Sequence, residues 1–566
     1  MRPVRAASLY NCSAQPTEAP LYAKSNLIRY FSVAAALTLC LLVLNRYQIQ
    51  NHFSVLPGDK FDAVIQATLL EHWFHVFSGS ARWSDVGYFF PYLRTIAQTD
   101  AHFLVGVAYT PFRAAGVDPF LSADFAGWVI KAIGFLGCYV FCRRAVRLSY
   151  HWALLAAALF TLSNGMTSHS QRLALSTVAF APVLGLLVWE ACTAFLNGDF
   201  SRFRLHGFLS GLLFGAWCIT CFYVAWFFAF FTSFFLFFAF VIYKRELLNA
   251  VVKRTKEGWT SVILVVVTCA ISLSPFAYAF LPKSQEVGTR IYSNVVKHTI
   301  PLDGILQVGK ENILFGRAYN DALKLFMTPS VSGEYYNTGF SIVLFFLFVC
   351  GCIGILKHER TKDKFLYLAT LTTLVTWAAD INVGGYSAWY FVFKFFPAAS
   401  ALNAVSVYQV FLALPVTVIA IRYLSRQNAS RAILGILIAI LIVGELNVPY
   451  LSLNRNEELS KLDLPNPPPK ECRAFYVSGW KDQDKWTSFT PTINGIYGHN
   501  VTAMFIAQKI RIPTINGMAS FNPPDWNFGF PNRPDYEERV RAYAAKHRIT
   551  DLCRLDLNDK TWSSVN

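Results

Sequence analysis

Hydrophobic positions along this chain fall into long runs, broken by short polar stretches that carry most of the charge. A helix needs about 20 apolar residues to cross the hydrocarbon core of a membrane. Runs approaching that length lie near 26–44, 125–142, 152–168, 173–196, 207–221, 222–243, 259–281, 338–356, 365–380, 404–421 and 432–450, about eleven in all. The pattern predicts an all-α polytopic membrane protein, followed by a small α/β domain at the C-terminal end.

Basic clusters decide which ends share a side. They are Arg143, Arg144 and Arg147; Arg202 and Arg204; Lys244, Arg245, Lys253, Arg254 and Lys256; Lys357, Arg360, Lys362 and Lys364; and Arg422, Arg426 and Arg431. All fall on the side of the N-terminus if 207–243 is two spans rather than one, which is the positive-inside arrangement. The expected organisation is a cytoplasmic segment 1–25, a membrane domain 26–450 and an extracytoplasmic domain 451–566. Residues 1–25 are polar, with Arg2, Arg5 and Lys24, and lack the apolar core of a cleavable signal. The first run is therefore expected to stay as an anchor. A bacterial inner membrane, with the C-terminal domain in the periplasm, is the expected location.

Two long loops, 45–124 and 282–337, are expected on the far side with the tail. The first has helical spacing around Val64, Leu69, Trp73 and Val76, and a re-entrant piece near 103–112. The proline-rich stretch 464–470 is stiff and marks the start of the last domain. In that domain, strands are expected at 473–478, 511–515 and 549–557, and helices at 501–510 and 535–547.

Composition narrows the function. The chain is 54% hydrophobic and 15% charged, against about 25% charged in an average soluble domain. The net charge of +16 sits in clusters between apolar runs, which favours membrane lipids over nucleic acid as a partner. Most of the 12 cysteines lie in apolar runs, with no zinc-type spacing of paired cysteines. Cys472 and Cys553 lie instead on the first and last strands of the tail, where a disulfide suits an oxidising side.

The acidic residues carry the candidate chemistry. Only 34 exist, and the first long loop holds Asp59, Asp62, Glu71, Asp85 and Asp100. On a helix Asp59 and Asp62 share a face. Group transfer to a hydroxyl needs a carboxylate to take the proton, often beside a second carboxylate or a metal. Asp59, Asp62 and Asp100 are therefore the candidate catalytic residues; capping of a helix that begins at Lys60 is the structural alternative for Asp59. Glu71-His-Trp-Phe-His75 lacks the spacing of a zinc protease motif, leaving Glu71 and His72 as candidate substrate contacts. Arg94, Arg172 and Arg290 are candidate partners for a phosphate. No cofactor is called for by a motif; a divalent metal stays open, because His72 and His75 share one helix face and could ligate, and a metal can also sit beside a carboxylate.

The loop opening with Gly58-Asp59…Asp62 and continuing through Glu71-His-Trp73 to Phe90-Pro-Tyr92…Asp100 resembles that of the GT-C superfamily of integral membrane glycosyltransferases. The span count and the C-terminal domain are similar to that superfamily as well. The tail stretches Ala503-Met-Phe-Ile-Ala-Gln508, Pro513-Thr-Ile-Asn-Gly517 and Pro523-Pro-Asp-Trp526 resemble a group of bacterial multi-pass membrane proteins that share the loop. The resemblance implies an inverting transfer from a polyprenyl-phosphate-linked sugar to a lipid, glycan or protein acceptor, with Asp59 or Asp62 near the reacting hydroxyl. Two departures stand out. Similar sequences carry arginines between Pro397 and Gln409, where this chain has none, and no Asp-x-Asp pair follows the third span. A transporter or flippase of lipid-linked sugars is the competing expectation, on the strength of Lys131, Glu190 and Glu445 inside spans. An O-antigen ligase or polymerase using Arg290 and His298 is a third.

Overall fold

The structure, a computed structural model, describes residues 21–170, 172–325, 334–448, 451–480 and 491–564. Most of the expected N-terminal segment 1–25 lies outside these residues. Among the described residues, six helices are long and apolar enough to cross a membrane: Leu27–Leu44, Pro119–Arg144, Leu173–Asn197, Phe222–Glu257, Trp259–Val287 and Val405–Leu424. Ile342–His358 and Arg431–Gly444 are shorter apolar helices. The other expected runs are helical but poorer. Tyr150–Thr161 has 12 residues, Phe200–Thr220 opens with Arg202, Arg204 and His206, and Lys364–Asp380 carries Thr370, Thr372, Thr373 and Thr376. Length and composition thus support a multi-pass membrane protein with six full-length candidate spans among the described residues, and the expected count of about eleven is not confirmed.

Local chemistry explains where these helices begin and break. Asp118 caps Pro119–Arg144 by accepting from the N–H groups of Phe120 and Leu121, both at 3.2 Å, with Pro119 in the first turn. The chain becomes extended at Cys221, with φ −148° and ψ 101°, so 207–243 holds two helices rather than one. Helix Tyr408–Leu424 lies at the centre with most of its residues buried.

Phe200–Thr220 packs along Trp259–Val287 through a stripe of small residues. A Cβ at Gly207 would meet Val265 at 2.7 Å, one at Gly211 would meet the Cys269 sulfur at 2.7 Å, and one at Gly215 would strike the Ser272 carbonyl at 2.2 Å. Close backbone approach through small residues is how helices associate in lipid, where no hydrophobic drive separates helix from solvent. Gly215→Leu is expected to cost about 1–3 kcal/mol by overpacking, read as a lower melting temperature in detergent.

The C-terminal domain is a small mixed sheet with two helices, Pro491–Ile510 and Tyr536–Lys546. Ala474–Ser478 runs parallel to Leu552–Asp556, which pairs antiparallel with Thr561–Ser564, a strand absent from the sequence expectation. The expected 511–515 strand is present as an irregular extension. The Phe475 N–H donates to the Pro513 carbonyl at 3.0 Å, and the Ile515 N–H to the Phe475 carbonyl at 3.1 Å. On its other edge the Thr514 N–H donates to Gly87, and the Phe90 N–H donates to Thr514, both at 2.9 Å. Residues 87–90 of the first long loop therefore continue the sheet, and the last domain is stitched into the membrane domain.

Asn516 anchors this seam. Its side chain accepts from the Val477 N–H at 2.9 Å and donates to Asn500 at 2.7 Å. Gly517 follows because any Cβ there would sit 2.6 Å from the Phe89 ring. A disulfide joins Cys472 and Cys553 across 81 residues, with Cα atoms 5.7 Å apart. Replacing both by Ser is expected to lower the domain's stability by about 2–5 kcal/mol, seen as earlier proteolytic cutting. In the native chain these two thiols should label with maleimide only after reduction.

Candidate functional site

The loop helix Asp62–Phe77 begins at a turn organised by Asp59. The Asp59 carboxylate accepts from the N–H groups of Phe61 at 2.8 Å and Ala63 at 3.4 Å, so it serves the backbone as a capping group does. Asp62, in the first helical turn, faces a cavity of about 250 Å³. Across it stands Arg172, whose Nε lies 3.8 Å from an Asp62 oxygen; the two side chains are 29% and 47% exposed, so this is a solvated pair.

Asp100 lines the same cavity from the other end of the loop. Its position follows from the break at Cys221. The helix that starts at Phe222 leaves its first N–H groups without helical partners, and the Phe222 N–H donates to the Asp100 carboxylate at 3.1 Å. The adjoining chain is held to the preceding helix end, with His102 N–H donating to the Thr220 carbonyl at 2.9 Å and Leu104 N–H to the Thr220 hydroxyl at 2.9 Å. Burial pushes the Asp100 carboxyl up to about 6, against the opposing pull of the Phe222 N–H and the Cys221 thiol. His102, also on the cavity wall, is lowered to about 4 by burial, so its ring is neutral near pH 7. Its Nδ1 donates to the Asp100 carbonyl at 2.8 Å in that neutral form, which leaves Nε2 as an acceptor.

The remaining walls come from distant parts of the chain. Tyr223, Ala404 and Val407 contribute from the membrane domain, and Tyr497, Met518, Ala519 and Ser520 from the C-terminal domain. Arg290 sits at the rim. Its Nη2 donates to the Ser520 carbonyl at 2.7 Å, its guanidinium lies 4.2 Å from the Phe521 ring centre, and its N–H donates to Ser400 at 2.9 Å. A cation thus stands against the 397–409 segment, which supplies none of its own.

No family model and no curated protein matches the chain. Among solved structures it is similar to the Archaeoglobus fulgidus oligosaccharyltransferase complex with zinc and sulfate. The TM-score is 0.49 and the identity 14%, over 92% of this chain and 67% of that one. A likeness of that degree assigns no function.

Of the candidate residues, the fold brings Asp62, Asp100 and Arg172 to one cavity, with Arg290 at its edge. Glu71, His72 and Arg94 lie elsewhere. Both Glu71 oxygens face Arg113, at 2.9 and 3.0 Å, and one also accepts from the Tyr109 hydroxyl. The buried His72 ring pairs with the Trp83 carbonyl at 3.1 Å and is lowered to about 4 by burial. Arg94 lies 4.5 Å from the Tyr278 ring centre, beside a second, apolar groove of about 1060 Å³. That groove runs between Phe200–Thr220 and Trp259–Val287, under Trp73, Trp83 and Phe103. The segment 99–103 lines both, with Thr99, Asp100 and His102 on the cavity and Phe103 on the groove. Among the described residues, no group of three or more His, Cys, Asp or Glu is arranged to hold a metal ion.

Sequence reasoning missed His102, Tyr223 and the C-terminal wall. For the wall a signal existed, since Pro513-Thr-Ile-Asn-Gly517 leads directly into Met518–Ser520.

Proposed function

We propose that this chain is a GT-C-like membrane glycosyltransferase, moving a sugar from a polyprenyl-phosphate donor to an acceptor hydroxyl. One observation carries the reading: two carboxylates, Asp62 and Asp100, share a cavity with Arg172 where the first loop, the membrane helices and the C-terminal domain meet. We take the orientation from the basic clusters: with the eleven apolar runs of the sequence as spans, the positive-inside arrangement favours the extracytoplasmic side for this cavity, periplasmic in a bacterial inner membrane. The Cys472–Cys553 disulfide supports that orientation.

In the proposed reaction the acceptor oxygen bonds to the anomeric carbon as the bond from that carbon to the phosphate oxygen breaks. Asp100, held near neutrality by burial, takes the hydroxyl proton. The lipid phosphate leaves with an added negative charge beside Arg172 and Arg290. The apolar groove flanking segment 99–103 accommodates the prenyl chain, with Arg94 at its border. The transporter reading loses its strongest support, because Glu445 is occupied by backbone: it accepts from the N–H groups of Asn164 at 2.8 Å and Ser341 at 3.1 Å. The test is transfer of a labelled sugar from polyprenyl phosphate into membrane or surface glycan, in cells holding equal amounts of native protein and of Asp62→Asn or Asp100→Asn.

A further inference from the structure

We propose that Tyr497, carried by the C-terminal domain, is the stacking platform for a neutral pyranose ring held in the cavity with Asp62 and Asp100. The inference rests on the cavity being the transfer site and names the chemistry it recognises. Tyr497 lies on the helix Pro491–Ile510, which packs against the loop helix. A T-shaped contact with Phe61, with ring centres 5.4 Å apart, fixes its ring at the cavity wall. Tyr497, Asp62 and Asp100 line the same cavity. Among the described residues its hydroxyl has no hydrogen-bond partner.

The C-terminal wall has an unusual composition for a site next to two carboxylates. Tyr497, Met518, Ala519 and Ser520 bring a ring, a thioether, a methyl and a hydroxyl, and no charge. The opposite wall supplies the Asp62 and Asp100 carboxylates, which accept hydrogen bonds only, and the Arg172 guanidinium, which donates. A pyranose matches that division: its faces carry C–H groups that cover an aromatic ring, and its rim carries hydroxyls that donate to Asp62 and Asp100. Asp62 is paired with Arg172, so an anionic ring would meet the repulsion of Asp100. The volume of about 250 Å³ is below the usual range of about 300–1,000 Å³ for small-ligand sites, so the cavity takes one ring rather than an oligosaccharide.

The experiment is saturation-transfer NMR on the full chain in lipid nanodiscs. The probes are methyl glycosides of glucose, galactose, mannose and N-acetylglucosamine. The expected result is saturation of ring C–H protons for at least one glycoside, retained in Tyr497→Phe and at least fivefold weaker in Tyr497→Ala. Tyr497→Leu, which keeps apolar bulk without a ring, should show the same loss while melting with the native protein. Added polyprenyl-phosphoglucose abolishes the signal if the ring belongs to the donor and leaves it if the ring belongs to the acceptor. No saturation by any glycoside, or an undiminished signal in both Tyr497→Ala and Tyr497→Leu, overturns the proposal. Asp100→Asn separates the two readings: full transfer with an intact glycoside signal sinks the transferase mechanism and leaves the sugar platform standing.

Discussion

Replacing Asp100 by Asn is expected to lower sugar transfer by about 10²–10⁴-fold, the usual contribution of a positioned base, at unchanged protein level. Asn keeps an oxygen that can accept from the Phe222 N–H, so the local fold survives while the proton acceptor is lost. The pH profile identifies the residue. Burial raises its carboxyl to about 6, and a base works only when deprotonated, so the native rate should climb as pH rises through about 6 and then level off. In Asp100→Asn that limb should vanish from the residual rate. Stability moves the other way. Because the folded state keeps this proton to higher pH than the unfolded chain does, Asp100 makes folding less favourable as pH rises from about 4 to 6. Asp62→Asn should lower transfer on a similar scale through a different route, since it releases Arg172 from a solvated pair and removes the second carboxylate. Such a pair contributes about 0–1 kcal/mol, so its melting temperature should barely move. Native transfer rates in both variants would refute the mechanism.

What the sequence disclosed about this site followed distance along the chain. Asp62, Asp100 and Arg172 stand out because acids and bases are scarce amid apolar runs, and each lies at the edge of a run that local periodicity reveals. The break at 221 was legible for a similar reason: the parity of the basic clusters demands two helices between Gly207 and Tyr243, although no glycine or proline marks the turn. Choosing between Asp59 and Asp62 was beyond periodicity, since three residues apart at a helix start they share a face. Asp59 gives its oxygen to backbone N–H groups, and Asp62 faces the cavity. The seam between residues 87–90 and 513–516 was hidden altogether. Its partners are more than 400 residues apart: 511–515 was expected as a strand, but nothing local in 87–90 marks that segment as its neighbour. The same non-locality hid Tyr497, which lies ahead of the expected helix 501–510 in the part that the structure adds.

Glu71 supplies the sharpest contrast with the cavity acids, and Glu71→Ala is expected to cost about 3–5 kcal/mol, the range for breaking one side of a buried ion pair. Glu71 is 5% exposed and meets Arg113 through two parallel contacts, while Tyr109 donates to the same carboxylate. Removing it leaves a guanidinium and a phenol facing each other with no acceptor between the loop helix and Phe103–Ala114. The readout is a large fall in melting temperature and in the amount of folded protein in membranes. A combined Glu71→Leu and Arg113→Met variant should recover much of that loss, because apolar replacements of a whole buried pair are often neutral or stabilising. Transfer per folded molecule, and the KM for the lipid donor, should stay near native in the combined variant. A role in holding substrate would produce the opposite signature: a raised KM that restored stability fails to correct. The two carboxylate classes of this loop are thus separable by one comparison, with Asp100→Asn lowering rate without loss of stability and Glu71→Ala lowering stability without loss of rate per folded molecule.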